Sequence, residues 1–239
     1  MKVYRSLLAL FMVMASAAVA HAITVDEIIE KNLQARGGID KIKALKSFKS
    51  TGTISAGGQE IEFTQYMKRE RKMRMEMAIM GTSIVTGFDG TNGWTVNPMM
   101  GSDKATALPA EQAKMMSAQA DFDGEFVDWK KKGTKIEYVG TVDVDGASAY
   151  KLKITDKDGD VRHSYIDVTN NLELKTEMTT DYQGQKMVVE VVFSNHKPIG
   201  GIMVPWSIDV RSQGQSAQSL TIKDVKPNID IPDMMFMMP

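Results

Sequence analysis

The 239-residue chain contains no cysteine, which excludes a disulfide framework, a thiol nucleophile and a lipid-modified N-terminal cysteine. Histidine is almost as scarce, with three residues, of which His163 and His196 lie beyond the first segment and sit in or beside strand patterns. There is no G-x-S-x-G elbow, no H-E-x-x-H helix, and no Walker or Rossmann glycine pattern. Ser164, His163 and Asp167 carry the residue types of a hydrolase triad, but their spacing gives it no support. Asp156-Lys157-Asp158-Gly159-Asp160 alternates carboxylates like a calcium loop, yet lacks the closing Glu and reads as a solvated hairpin turn. Neither an enzyme nor a metal or cofactor site is expected.

Long apolar runs are also missing. The one such segment is Leu7 to Val19, preceded by Lys2 and Arg5 and followed by Ala20-His21-Ala22. That order of charged, apolar and small residues is a secretory signal peptide with an A-x-A cleavage site, too short for a spanning helix. Residues 1–22 are therefore expected to be a leader, and 23–239 one mature domain in the periplasm. Losing Lys2 and Arg5 leaves 27 basic residues against 30 acidic ones, a net charge of −3. So even a balance argues against nucleic acid as a partner. The densest basic cluster is Lys68, Arg69, Arg71 and Lys72, which reads as a solvated turn or a contact for lipid headgroups.

What the chain has in excess is methionine: 19 residues, of which Met1, Met12 and Met14 belong to the leader. Lys72 to Met80 alternates, placing Met73, Met75, Met77 and Ile79 on one strand face and Arg74 and Glu76 on the other. β-branched residues fit a pleated surface better than thioethers. A row of methionines therefore suggests a soft wall that adapts to variable apolar shapes, and its competing reading is a Met-rich core.

Thr24 and Glu27 form a capping-box pattern ahead of Val25, Ile28, Ile29 and Leu33, so a helix begins there and ends at Gly37-Gly38. A short helical pattern follows at Ile39, Ile42 and Leu45. Alternation then takes over, with Ile61, Phe63 and Met67 on one face of a hairpin with the Met strand. It continues through Ile84 to Phe88 and through Trp94 and Val96, and breaks at Asn97-Pro98, just before Met99 and Met100. No strand is expected between Met99 and Lys132. A weakly amphipathic helix is expected from Pro109 to Ala120, with Met115 and Met116 near its middle, serving as a lid or a crossover. Regular strands run from Ile136 onward, including Tyr150, Leu152 and Ile154 on one face, Leu172, Leu174 and Met178 against Glu173, Lys175 and Glu177, and Val204, Trp206 and Ile208.

The fold class is mainly β with helices: about eleven antiparallel strands in a strongly curved sheet, a half-open barrel with helices covering its concave face. Such a hollow must be filled by helices or a ligand. Its expected lining is the hairpin residues Ile61, Phe63 and Met67, the methionines Met73, Met75, Met77, Met99, Met100, Met115 and Met116, and Trp94, Tyr150, Leu152 and Trp206. An enzyme would need a polar constellation inside that hollow, which the strand faces do not provide.

Several stretches carry a family resemblance. They are Gly37-Gly38-Ile39-Asp40-Lys41-Ile42, the hairpin from Gln65-Tyr66-Met67-Lys68-Arg69 to Met77, Asp89-Gly90 with Gly93-Trp94 and Asn97-Pro98, Tyr165-Ile166-Asp167, Gly201-Ile202 with Val204-Pro205, and Phe236-Met237-Met238-Pro239. In this order the chain resembles the outer-membrane lipoprotein-sorting proteins, the LolA/LolB-like periplasmic carriers. The resemblance implies a lidded half-barrel whose cavity takes up lipoprotein acyl chains or other lipids, and a buried arginine that latches the lid. It also implies an inner-membrane ABC exporter as donor and an outer-membrane acceptor. A monomeric carrier without a cofactor is the expected function, and an envelope sensor or scaffold that binds lipid or protein without transport is the alternative.

Overall fold

The computed structural model describes residues 23–182 and 185–239; the expected leader, 1–22, lies outside the described residues. The chain opens with α1 (Val25–Ala35) and α2 (Ile39–Ala44). Five strands follow: β1 (Ser47–Ala56), β2 (Gln59–Lys68), β3 (Lys72–Ile79), β4 (Thr82–Phe88) and β5 (Gly93–Asn97). After a 3-10 turn at Pro98–Met100 come β6 (Ser102–Ala107) and α3 (Ala110–Gln119). The second half holds β7 (Lys135–Val144), β8 (Ala147–Thr155), β9 (Val161–Asp167), β10 (Glu173–Tyr182), β11 (Gln185–Ile199), β12 (Ile202–Ser212) and β13 (Gln215–Pro227).

All thirteen strands form one antiparallel sheet, in the order β6-β5-β4-β3-β2-β1-β13-β12-β11-β10-β9-β8-β7. Thus β1 and β13 meet in the middle while β6 and β7 are the two edges, and the curved sheet stays unclosed. The expected count of about eleven omits β1 and β6. Both are poor in the signal that marks a strand: the inward positions of β1 include Ser50 and Gly52, and β6 reads Ser-Asp-Lys-Ala-Thr-Ala. Gly52 is small for a reason. A Cβ there would stand 2.7 Å from the Phe63 ring and 2.1 Å from the Thr221 carbonyl oxygen, so the glycine lets Phe63 lie across β1.

The three helices pack on one side of the sheet. Ile28 and Ile29 of α1 join Ile136, Leu152, Ile154 and Ile166 of β7–β9. Ile42 of α2 and the following Leu45 pack with Val127 and Ile202, and Met116 of α3 packs on Met67, Met73 and Phe88. The first helix is fixed at its start as expected: Thr24 Oγ1 accepts from Glu27 N–H at 3.3 Å, and Glu27 Oε2 accepts from Thr24 N–H at 2.8 Å.

The outer side of the β2–β5 region is covered by the C-terminal segment. Ile231 and Phe236 are buried there. Trp94 Nε1–H donates to the Phe236 carbonyl at 2.8 Å, and Arg74 donates to the Met235 carbonyl at 3.1 Å. Lys68 and Lys72 both bond the Asp233 carboxylate, at 2.7 and 2.8 Å, and hold it well below the usual carboxylate range, at about 2.

Candidate ligand cavity

Cross-strand pairing sorts the expected lining residues. Met67 pairs with Met73 and Met73 with Phe88; Phe63 pairs with Met77 and Met77 with Ile84; Gln65 pairs with Met75 and Met75 with Thr86. Directly paired residues share a face, so the Met row stands on the helix side of the sheet with Ile61, which pairs with Ile54. Along that row burial changes. Met67 and Met73 are 5% and 3% exposed beneath Met116, whereas Ile61, Met75 and Met77 are half-buried. The wall is therefore packed at Met67 and Met73, while farther along Met75 and Met77 are only partly covered beside the buried Phe63 and Ile84. Tyr150 and Leu152 lie on the helix side too, at the far end of the sheet under α1.

Four of the expected residues lie elsewhere. Trp94 faces the outer side, because it pairs with Gly87, which pairs with Arg74 on the face opposite the methionines. A Cβ on Gly87 would stand 2.4 Å from the indole, so the ring lies across the glycine. Met99 and Met100 are 55% and 80% exposed, since Asn97 caps a turn that carries them past the end of β5. On α3 only Met116 faces the sheet; Met115 is 63% exposed. Trp206 is half-buried on β12 outside the three packed clusters, with the Lys197 ammonium 4.4 Å from its ring centroid and its Nε1–H unpartnered.

The basic turn is exposed at Arg71 but its cations are all paired. Arg69 donates Nε–H to the Leu45 carbonyl and an Nη2–H to the Ile42 carbonyl, each at 2.7 Å, tying down the end of α2. The same guanidinium bonds both oxygens of Asp123, in the segment after α3, at 2.7 Å, and lies over the Phe122 ring. Arg71 and Lys132 hold Asp121 at 3.2 and 2.8 Å, and Lys43 holds Asp128 at 2.6 Å. The segment after α3 is thus pinned by charge to β2–β3 and α2.

Beneath it the structure holds a polar group that the strand faces did not reveal. A bulge at Glu173–Lys175 in the pairing with β9 turns Glu173 inward, where it accepts from Ser164 Oγ at 2.6 Å and Thr176 Oγ1 at 3.0 Å. Burial raises its pKa. Arg36, which caps α1, donates to the Asp123 carbonyl at 3.1 Å, and burial lowers its pKa. Arg162 pairs with Glu125, whose carboxyl is nevertheless pushed up to about 7 by burial. The expectation of a hollow without polar groups is therefore corrected. In sequence the sign available was a charged residue, Glu173, beside the apolar run of β10, which plain alternation assigns to the outside.

These groups border two cavities. One, of about 320 Å³, lies between α1, residues 122–126 and strands β10–β12, with Phe122, Phe126, Leu172 and Phe193 among its apolar walls. The other, a cleft of about 840 Å³, lies between α3 and the β8–β9 turn, bridged by Lys114 to Asp160 at 2.7 Å. Glu125 lines both. The Ser164, His163 and Asp167 set does not assemble: Ser164 faces the helices, His163 stands near Glu177 on the other face, and Asp167 accepts from the backbone of the turn after β9. The Asp156 carboxylate accepts from Asp158 and Asp160 N–H in a hairpin turn, and among the described residues no group of acidic or histidine side chains forms a metal site.

No family model matches the sequence, and no curated protein matches it. Solved structures do match the fold. A LolA superfamily protein from Nitrosomonas europaea superposes with a TM-score of 0.62 at 18% identity, covering 90% of this chain and 98% of that one. A DUF1329 family protein from Desulfovibrio piger gives 0.61 at 15% identity, covering 89% and 97%. A domain from Vibrio parahaemolyticus named for outer-membrane lipoprotein sorting gives 0.55 at 12% identity, covering 87% and 97%. Across nearly its whole described length, this chain has the fold of the LolA superfamily and of outer-membrane lipoprotein-sorting domains.

Proposed function

We propose that the protein is a periplasmic carrier that holds acyl chains of lipoproteins or other lipids in the hollow between the sheet and its helices and moves them toward the outer membrane. The observation that carries this reading is the graded Met wall. Met73 is packed, while Met75 and Met77 stay half-buried beside the buried Phe63 and Ile84. An apolar wall left partly open, backed by a rigid sheet, suits a flexible hydrocarbon chain, which gains about 0.8 kcal/mol for each CH₂ buried. Thioether side chains adapt to its shape.

In this reading Arg69 is the latch, since one side chain holds both α2 and the segment after α3. Donor and acceptor are an inner-membrane exporter and an outer-membrane receptor, and the leader delivers the chain to the compartment between them. The test is titration of delipidated protein with a fluorescent long-chain fatty acid. Saturable binding near one probe per protein, displaced by a diacylated lipopeptide, is expected; no saturable binding would sink the proposal.

A further inference from the structure

The smaller cavity ends in polar atoms with nothing to bond. Asn32 is 1% exposed, and its amide orientation is set because Nδ2 donates to the Asn171 carbonyl at 2.8 Å. That leaves Oδ1 as a buried acceptor without a partner. Glu125 gives one carboxylate oxygen to Arg162 and leaves the other, Oε2, buried and unpartnered. Both residues line the cavity. Buried acceptors are rarely left unpaired, because each forfeits its hydration without return.

Around these atoms the cations Arg36, Arg162 and Lys132 stand against the carboxyl groups of Glu125, Glu173, Asp121 and Asp123. An anionic ligand group would add to that excess of carboxyl groups in a buried site. A hydroxyl adds no charge, donates to an orphan acceptor, and accepts in turn; Arg36 and His196 stand on the same lining. The remaining walls are aromatic and aliphatic, suited to the chain that such a group would carry.

We infer that this cavity takes the neutral, hydroxyl-bearing head of an acylated amphiphile, with Asn32 Oδ1 and Glu125 Oε2 as its hydrogen-bond acceptors. The inference rests on the carrier reading and narrows it, since it selects acylglycerol-type lipids over chains that end in an acceptor-only group.

The experiment compares 1-monooleoylglycerol with methyl oleate, which share one chain, as displacers of a fluorescent fatty acid from the full protein at pH 8, where Glu125 is ionised. The hydroxyl lipid is expected to bind about tenfold tighter, the effect of one net hydrogen bond to a buried acceptor. In Asn32→Leu the ratio of the two affinities should fall to about one. Glu125→Gln, which can set an N–H where the acceptor stood, serves if the first variant does not fold. Equal affinity for the two lipids in the natural protein means that water fills the site and overturns the inference while leaving the carrier reading intact. A preference kept in the folded variants also overturns it. Binding of neither lipid overturns both.

Discussion

The Arg69 guanidinium meets the Asp123 carboxylate edge to edge, Nη1 to Oδ2 and Nη2 to Oδ1, both at 2.7 Å. Planar pairs of this kind are the strong members of their class, because two parallel bonds fix the angle as well as the distance. Arg69→Ala removes this pair and the bonds to two α2 carbonyls, and is expected to cost about 3 kcal/mol by urea unfolding. Arg69→Lys should recover little, since one ammonium cannot span both oxygens. In hydrogen exchange, residues 121–128 should lose protection in the alanine variant while the strands from β8 onward keep theirs.

The Met wall gives a graded outcome. Met73→Gln places an amide in a packed cluster with Met67, Phe88 and Met116 and should destabilise by about 2 kcal/mol or more. Met75→Gln with Met77→Gln should leave the melting temperature nearly unchanged and weaken a fluorescent fatty acid severalfold. Unfolding of that double variant would instead make the whole row a core. Met115→Gln should be silent in both measurements and Met116→Gln should not.

How much of this was legible in sequence depended on whether alternation survived. The β3 row and the Thr24–Glu27 cap were readable because each follows a local rule over a few residues. Trp94 was misassigned because its face follows from the pairing with Gly87, a partner that offers no hydrophobic signal. Glu173 was read as solvent-facing because a bulge shifts its parity, and one strand's residues do not announce a bulge. The Arg69 network leaves no trace in the sequence at all. It joins Arg69 to carbonyls at Ile42 and Leu45 and to Asp123, an assembly made by topology rather than by spacing.

The half-buried Glu125 predicts an unusual response to pH. Its folded pKa, about 7, lies above the ordinary value of 4.5, so the folded state binds a proton that the unfolded chain releases. That contribution to stability is fully present below pH 4.5 and is lost as pH rises through about 7. Urea midpoints should therefore fall between pH 5.5 and pH 8, and Glu125→Gln should flatten that slope. An unchanged slope in the variant would assign the titration to another group.

The C-terminal segment should be a structural requirement. Phe236→Ala empties a fully buried site and is expected to cost about 3–4 kcal/mol. Its carbonyl also orients the Trp94 indole, so intrinsic fluorescence should shift to longer wavelength at denaturant concentrations where the natural protein is still folded.

That same segment decides how the molecule can be handled. Met237 and Met238 emerge exposed from the outer side of the sheet, opposite α1, α2 and α3. A linker attached there would anchor the protein to a sensor chip or a bead with its helix side turned toward the fluid. A dye attached there would report tumbling from the outer side, whereas one placed on the exposed Met115 position of α3 would report from the helix side.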